Sequence, residues 1–174
     1  MSRFTHIDQN GHVKMVDVTG KDATLRTAIA RATVCMQPDT LQNIIHKRVK
    51  KGNVLETARI AGIMAAKKTA DLIPMCHPLN ITHVSVDFVP DEERHLIQIE
   101  AGVRLVGQTG VEMEALSAVA IAALTVYDMC KSYDREIIVT DIHLAEKTGG
   151  KSGRFKKNGP AAAIITAKPQ NNSG

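Results

Sequence analysis

The sequence contains few aromatic residues. Its 174 residues include three Phe, two Tyr and no Trp. Proteins that bind single-stranded nucleic acid stack the bases on repeated aromatic side chains, and this chain lacks the residues for such a surface. Hydrophobic residues make up 44% and charged residues 23% of the chain. This balance is typical of a globular protein with an aliphatic core rather than of a disordered one.

Cysteines and long apolar segments are also scarce. Cys35, Cys76 and Cys130 are odd in number and have no CxxC spacing, which argues against a disulfide framework and a structural zinc site. The first residues lack the apolar segment of a secretory signal. The longest nearly apolar run, 115–127, is shorter than the ~18 residues that a membrane span takes. We therefore predict a cytoplasmic protein.

Acidic residues are absent from the C-terminal end, which changes the meaning of the net charge of +4. An excess of basic residues usually suggests that a protein binds nucleic acid or a membrane surface. All 18 acidic residues lie at or before Glu146, whereas six of the 22 Lys and Arg residues follow it, so residues 1–146 carry a net charge of −2. The basic excess belongs to the C-terminal segment alone.

The order of predicted elements indicates an α+β fold. Apolar residues that alternate with a period of two predict strands, and glycine and proline mark the breaks between elements. The predicted elements are a strand over 25–36, helices over 40–49 and about 54–71, strands over 79–89 and 96–106, a helix over about 111–132 and a strand over 137–144. This is the βαββαβ order of the ferredoxin-like fold. We expect a single domain over residues 1–153, with an N-terminal extension, and a flexible Gly/Lys-rich basic tail over 154–174.

The helix predicted over 111–132 has almost no polar face. Its central sequence, ALSAVAIAALTVY, is nearly all apolar, whereas a helix that lies on a single sheet keeps a polar face toward solvent. We expect another copy of the chain to cover part of this helix, and the protein therefore to be an oligomer.

Asp128 and Lys131 near the end of this helix have two interpretations. The negative end of the helix dipole disfavours Asp128 by ~0.3–1 kcal/mol, and Lys131 can offset this as an i,i+3 partner. A surface ion pair explains both residues. The alternative is an acid/base couple in which each group sets the protonation of the other.

Five further residues are candidates, each with a structural alternative. Glu112 and Glu114 are typical first-turn acids, but two carboxylates beside a glycine turn also suit the donor-rich edge of a guanine or pterin, or a magnesium ion. His77 lies between two prolines that fix its direction, although a single His is more often structural. Cys76 is interpreted as buried and inert. Lys51 is either a solvated loop residue or, in an apolar site, a proton-transfer group.

The glycine run GGKSG at 149–153 matches a P-loop only in part. The pattern GxxxxGK[ST] requires glycine at position 145, where this chain has Ala145. The residues that follow do not form the apolar-faced helix that would hold a phosphate at its N-terminus. The P-loop interpretation therefore fails, and a cationic segment over a polyphosphate or a solvated tail remains.

Four segments of the sequence resemble a known protein family. They are MVDV (15–18), KGNVLETARIAGIMAAKKTADLIPMCHPL (51–79), GQTGVEMEALSAVAIAALTVYDMCK (107–131) and KTGGKSG (147–153). Together they closely resemble the cyclic pyranopterin monophosphate synthase family, molybdenum cofactor biosynthesis protein C. The resemblance implies a ferredoxin-like enzyme that forms hexamers as trimers of dimers, with active sites at the dimer interface.

The reaction implied by the resemblance converts 3′,8-cyclo-7,8-dihydroguanosine triphosphate into cyclic pyranopterin monophosphate and releases pyrophosphate. The enzyme would be a phosphorus–oxygen lyase with a small-molecule substrate and no nucleic-acid or membrane partner. The resemblance implies no certain cofactor, with Mg²⁺ as a candidate companion of the triphosphate, and no metal-ligand residues.

The resemblance also assigns roles to residues of this chain. Asp128, Lys131 and Lys51 match catalytic positions. The substrate-binding positions are Met75, Cys76, His77, Glu112, Met113, Glu114 and Lys147, with Lys151 as a weaker phosphate contact. The chain departs from the usual pattern at Asn53, Met75 and Arg154; Asn53 can still cap the helix that follows it.

Two functions of other classes compete with the enzyme. A ferredoxin-like nucleic-acid-binding module would bind RNA or DNA in a salt-sensitive way, but aromatics are few and the body is net negative. A structural partner of another biosynthetic enzyme would have no reason to bring ionisable groups together. We therefore expect an enzyme to cluster five groups in space: Lys51, His77, Glu112, Asp128 and Lys131.

Overall fold

The computed structural model describes residues 10–151 and 153–158. The elements in chain order are β1 (Thr24–Cys35), α1 (Pro38–Ile45), α2 (Val54–Lys67), α3 (Thr69–Leu72), β2 (His83–Asp91), β3 (Leu96–Gly107), α4 (Glu112–Cys130), β4 (Ile138–Thr148) and β5 (Phe155–Lys156). All elements predicted from the sequence are present. The strand β5 is additional, and the helix predicted over 54–71 is present as α2 and α3.

Within the described residues the strands form one antiparallel sheet in the order β2-β3-β1-β4-β5. The hairpin β2–β3 lies on one side of β1, and β4 lies on the other side. Helices α1 and α2 connect β1 to the hairpin, and α4 connects the hairpin to β4. This arrangement of the βαββαβ order confirms the predicted ferredoxin-like α+β fold.

One face of the sheet is buried beneath helices. Alternate residues of β1 and β3 point to this face and pair across the ladder: Ala28 with Val103, Ala30 with Ala101, Ala32 with Ile99 and Val34 with Ile97. Helix α4 packs on β1, β3 and β4, while α2 packs on α4 and β2. The alanines of β1 leave room for α4 to lie close to the centre of the sheet.

Helices α2 and α4 approach each other most closely at Gly62. A Cβ atom at this position would lie 2.9 Å from the carbonyl oxygen of Ala118. Glycine in a helix interior costs about 1 kcal/mol relative to alanine, and here it permits the backbone contact. Gly62 therefore allows the backbones of α2 and α4 to pack closely.

Two strand boundaries differ from the prediction. Strand β2 begins at His83 rather than at residue 79, because a tight bend, closed by the hydrogen bond from Ile81 N to Leu79 O (3.1 Å), keeps the preceding residues out of the ladder. Strand β4 continues to Thr148 rather than ending at residue 144. Its polar end is held in the sheet by pairing with β1, with Lys147 opposite Ala28.

The helical boundaries also shift. Helix α1 ends at Ile45 instead of residue 49, and Lys47 just beyond it has a positive φ of 55°. The helix predicted over 54–71 divides into α2 and α3 at Lys68. The Asn53 side chain accepts a hydrogen bond from Glu56 N, which confirms the predicted cap of α2.

Residues 155 and 156, which the sequence analysis places in the flexible tail, pair with β4. Lys156 lies opposite Glu146 and Phe155 opposite Lys147, and Lys157 N donates to Ala145 O at 2.9 Å. Glycines at 149, 150 and 153 have φ values of +93°, +74° and +64°, which permit the chain to reverse between the two strands. Residues 1–9, 152 and 159–174 lie outside the described residues, so the rest of the tail stays a prediction.

Among the described residues, α4 is the one helix that is long and apolar enough to cross a membrane. The nearly apolar run 115–127 within it is shorter than the ~18 residues that a span takes. Its contacts are those of a core helix, since nine of its side chains are buried against the sheet and α2. Leu124 on its outer side is 53% exposed. Coverage of this outer side by another copy stays a prediction.

Candidate active site

A cavity of about 830 Å³ opens beside the N-terminal end of α4. Its wall comes from the segment before β1, the start of β1, the proline-containing segment, the turn before α4, the first turn of α4 and the glycine segment after β4. The wall includes all seven residues predicted to bind substrate, Met75, Cys76, His77, Glu112, Met113, Glu114 and Lys147, together with Lys151. The fold thus brings together residues that are distant in sequence, while their roles stay predictions.

The proline-containing segment presents His77 and Cys76 to the cavity. The His77 ring nitrogen Nε2 lies 2.9 Å from the carbonyl oxygen of Val16, so the imidazole is held by the segment that precedes β1. Burial raises the pKa of the Cys76 thiol, and the nearby charge of Glu114 adds to this effect. Cys76 is half-buried at the cavity wall rather than buried as predicted. Its raised pKa favours the neutral thiol, and its inertness stays a prediction.

Glu112 and Lys147 form an ion pair inside the cavity wall. The Lys147 Nζ lies 2.8 Å from Glu112 Oε1, and about a quarter of each side chain is exposed. Glu112 is the first residue of α4, while Lys147 lies near the end of β4. The extension of β4 beyond its predicted end is what carries the lysine to the cavity.

Glu114 is a buried carboxyl group at the same wall. The residue is only 3% exposed, and burial raises the pKa of its carboxyl group, with a smaller contribution from the charge of Glu112. The hydrogen bond from its own backbone N–H acts in the opposite direction. A carboxyl group with a raised pKa is protonated over a wider pH range, in which it can donate a hydrogen bond to a ligand.

Arg26 is a cavity residue that the sequence analysis did not single out. Its guanidinium donates from Nε to Gly107 O (3.1 Å) and from a terminal nitrogen to Gln108 O (3.2 Å). A Cβ atom on Gly150 would overlap this guanidinium, so the glycine segment lies directly against it. The sequence does contain a signal for Arg26. In the alternating pattern of β1, position 26 falls on the same face as the buried alanines at 28 and 30, yet the residue there is charged.

A second group of charged residues lies at the C-terminal end of α4. Lys131 Nζ is 2.7 Å from Asp128 Oδ1, and Lys51 Nζ is 3.7 Å from Asp128 Oδ2. Lys51 also donates to the backbone oxygen of Asp128 at 2.7 Å, a cation at the negative end of the helix dipole. The three side chains are roughly half exposed.

The charges of this group act on one another's protonation. The hydrogen bond and charge of Lys131, followed by the charge of Lys51, lower the pKa of Asp128. Asp128 in turn raises the pKa of Lys131. These directions favour the Asp128 carboxylate and the Lys131 ammonium ion at neutral pH.

The two groups lie at opposite ends of α4. At 1.5 Å per residue, the helix separates Glu112 from Asp128 by about 24 Å. The expectation that Lys51, His77, Glu112, Asp128 and Lys131 converge is therefore wrong for a single chain, because Glu112 and Asp128 lie near opposite ends of one continuous helix. Within the described residues no group of three or more His, Cys, Asp and Glu side chains has the arrangement of a metal site.

Comparisons with known proteins agree with the resemblance found in the motifs. The MoaC family model matches residues 15–150. Three similar proteins are named cyclic pyranopterin monophosphate synthase. The one from Desulforapulum autotrophicum is 66% identical over 89% of this chain and 95% of its own length. One from Desulfatibacillum aliphaticivorans is 59% identical over 91% of this chain and all of its own length. One from Pelotomaculum thermopropionicum is 56% identical over 93% of this chain and 95% of its own length. By fold, motifs and overall similarity, the chain belongs to the MoaC family.

Proposed function

We propose that the protein is a cyclic pyranopterin monophosphate synthase, a phosphorus–oxygen lyase that acts in the cytoplasm in molybdenum cofactor biosynthesis. It converts 3′,8-cyclo-7,8-dihydroguanosine triphosphate into cyclic pyranopterin monophosphate and releases pyrophosphate. The observation that carries this proposal is the cavity at the start of α4, where cations, two carboxyl groups and an imidazole meet in a chain whose relatives bear this enzyme name.

The cavity binds the substrate. Lys147 and Lys151 supply positive charge to the triphosphate, and the Lys147–Glu112 pair keeps the ammonium inside the wall before substrate arrives. Glu114 and Glu112 lie where they can accept from the donor-rich edge of the purine, or, when protonated, donate to it. His77, Met75, Cys76 and Met113 complete the wall around the ring.

The group at the other end of α4 carries the proton transfers. Ring rearrangement and closure of the cyclic phosphate need groups that give and take protons in turn. Lys131 is the ammonium that donates a proton, and its ion pair with Asp128 places it. Lys51 lies beside the same carboxylate and is the second proton-transfer group.

The active site is completed by a second copy of the chain. One chain holds the cavity and the proton-transfer group about 24 Å apart along α4, which is too far for a single substrate to touch both. In a symmetric dimer the C-terminal end of α4 from one copy can reach the cavity of the other. We assign the dimer as the catalytic unit and the hexamer, a trimer of dimers, as the assembled enzyme.

Mg²⁺ enters as a companion of the triphosphate rather than as a resident metal. Magnesium is usually held by one or two carboxylates together with substrate phosphates, and Glu112 is the cavity carboxylate placed beside the phosphate-binding lysine. Turnover measured after chelation and after Mg²⁺ is restored tests this assignment, which predicts a change in KM for the triphosphate.

The experiment that tests the proposed function replaces Asp128 and Lys131. The variants Asp128→Ala and Lys131→Ala are expected to fold and assemble normally, because both side chains are exposed, yet to lose at least about 10²-fold in kcat. Pyrophosphate release and pterin formation are measured with the cyclised triphosphate. Lys67→Ala, at the exposed end of α2, is the matched control and keeps full activity. Full turnover by either site variant would contradict the roles assigned here.

A further inference from the structure

The segment that carries Lys51 lies between α1 and α2 and has few internal supports. Its one buried side chain is Val49, which is 5% exposed, and a turn is closed by the hydrogen bond from Gly52 N to Val49 O at 3.0 Å. Gly52 itself has a positive φ of 109°, which favours glycine at this point. Where Lys51 stands therefore depends on contacts that the segment makes with other parts of the fold.

Tyr133 provides such a contact beyond the end of α4. Its hydroxyl oxygen accepts a hydrogen bond from the backbone N–H of Lys50 at 3.1 Å. Its own backbone N–H donates to Cys130 O at 2.8 Å, so the tyrosine is fixed to the last turn of the helix. Tyr133 thus links the residue next to Lys51 to the helix end that bears Asp128 and Lys131.

We propose that Tyr133 is a positioning residue, which sets the place of Lys51 relative to Asp128 through its hydrogen bond to the backbone of Lys50. This inference rests on the proposed function, in which Lys51 is a proton-transfer group. Tyr133 itself needs no contact with the substrate.

The hydrogen bond between Tyr133 and the backbone of Lys50 affects how firmly Lys51 is held beside Asp128. The Lys51 side chain is 44% exposed, and its Nζ lies 3.7 Å from Asp128 Oδ2 and 2.7 Å from the backbone oxygen of Asp128. A long exposed lysine loses rotamer freedom when it is held in one place, and a backbone that is already fixed adds no ordering cost of its own. The Tyr133 hydroxyl fixes the backbone one residue before this side chain.

The protonation of Asp128 reports on this arrangement without any substrate. Among the described residues, the charged groups facing its carboxylate are Lys131 on the same helix end and Lys51 on the α1–α2 segment. Both lower the pKa of Asp128. If Lys51 is released, its contribution is lost and the pKa of Asp128 rises, while the contribution of Lys131 remains.

The first test is Tyr133→Phe, which keeps the ring and removes only the hydroxyl. The Asp128 carboxyl is titrated by ¹³C NMR in the full chain, and its pKa is expected to rise. In a Lys51→Ala background, the same change at Tyr133 is expected to add nothing. Thr82→Val, which removes an exposed hydroxyl donor to Arg104 O, is the matched control and leaves the pKa of Asp128 unchanged.

The second test is turnover of the cyclised triphosphate. Tyr133→Phe is expected to lower kcat by about 3- to 10-fold, the range that loss of one hydrogen bond in a positioned group produces, with KM changed less than twofold. The acidic limb of the pH profile moves to higher pH together with the pKa of Asp128. An unchanged pKa and kcat would overturn the inference, and so would a loss of thermal stability alone.

The two tests separate this inference from the proposed function. If Lys51→Ala retains full turnover, the catalytic role of Lys51 is wrong, yet the NMR titration still decides whether Tyr133 places Lys51. If Lys51→Ala is inactive and Tyr133→Phe leaves the pKa of Asp128 unchanged, the proposed function stands and the role of Tyr133 is wrong.

Discussion

At the scale of single residues, Glu114 shows a conflict between stability and binding. A buried carboxyl group with a raised pKa favours the fold only while it is protonated, because ionisation in the folded state is penalised by burial. Its contribution to stability is present below the ordinary pKa of glutamate and is lost as the pH rises through the higher pKa of the folded state. The proposed role of Glu114 in substrate binding would account for a carboxyl group at this position.

Replacement of Glu114 tests this directly. Glu114→Gln is expected to raise the free energy of unfolding at pH 8 and to change it little at pH 4, because the amide cannot ionise. The measurement is urea unfolding at both pH values. Glu93→Gln, in the exposed turn between β2 and β3, is the control. The same variant should raise KM for the triphosphate substrate if the carboxyl group binds the purine edge, and an unaltered KM would argue against that role.

At the scale of elements, the contact of α2 with α4 depends on one glycine. Gly62→Ala gains up to about 1 kcal/mol in helix propensity. Its new Cβ would lie 2.9 Å from the Ala118 carbonyl oxygen, a backbone atom that cannot rotate away. We therefore expect a net loss of about 1–3 kcal/mol in the free energy of unfolding, as in other overpacked cores. Ile60→Ala, on the exposed side of the same helix, should change it by only about 0.5 kcal/mol. A more stable Gly62→Ala variant would show that the helices can separate.

The elements also show what the sequence predicts and what it leaves open. Period-two alternation locates β1 and β3 to within one residue, because their buried positions are regularly spaced and, apart from Arg26, apolar. Strand β4 was predicted too short because its last residues are polar, and cross-strand pairing, which no local pattern reveals, keeps them in the sheet. The sequence pattern does not identify Arg26 as a site residue. A single charged residue at a position of β1 that faces the interior has no evident partner until the fold places the cavity beside it.

At the scale of the whole molecule, residue types were easier to predict than their assembly. The motifs indicated the candidate residues, and the fold brings those of the cavity together. The helix predicted over 111–132 already implies that Glu112 and Asp128 lie far apart, so convergence within one chain was the wrong expectation. The separation follows from helix geometry, and the proposed site shared by two copies rests on it.

Mixed oligomers test the shared site. Asp128→Ala lacks the proton-transfer end, and Lys147→Ala lacks a cavity cation, so each variant alone is expected to be nearly inactive. When the two are co-expressed, random pairing in a symmetric dimer gives about a quarter of the sites two intact halves, and about that share of activity should return. Asp128→Ala mixed with Lys51→Ala is the matched control and regains none, because both changes lie in the same half. No recovery in the first mixture would place the complete site in a single chain.

The short strand β5 has a consequence for binding. It gives the glycine segment after β4 a second anchored end, so this segment is the connection of a hairpin rather than the start of a free tail. A free tail that closed over a phosphate would lose about 1–2 kcal/mol of backbone entropy per ordered residue at each binding event. Here residues 155 and 156 are already placed by pairing with β4, so part of that loss occurs on folding, and Lys147 lies in the strand that starts the hairpin.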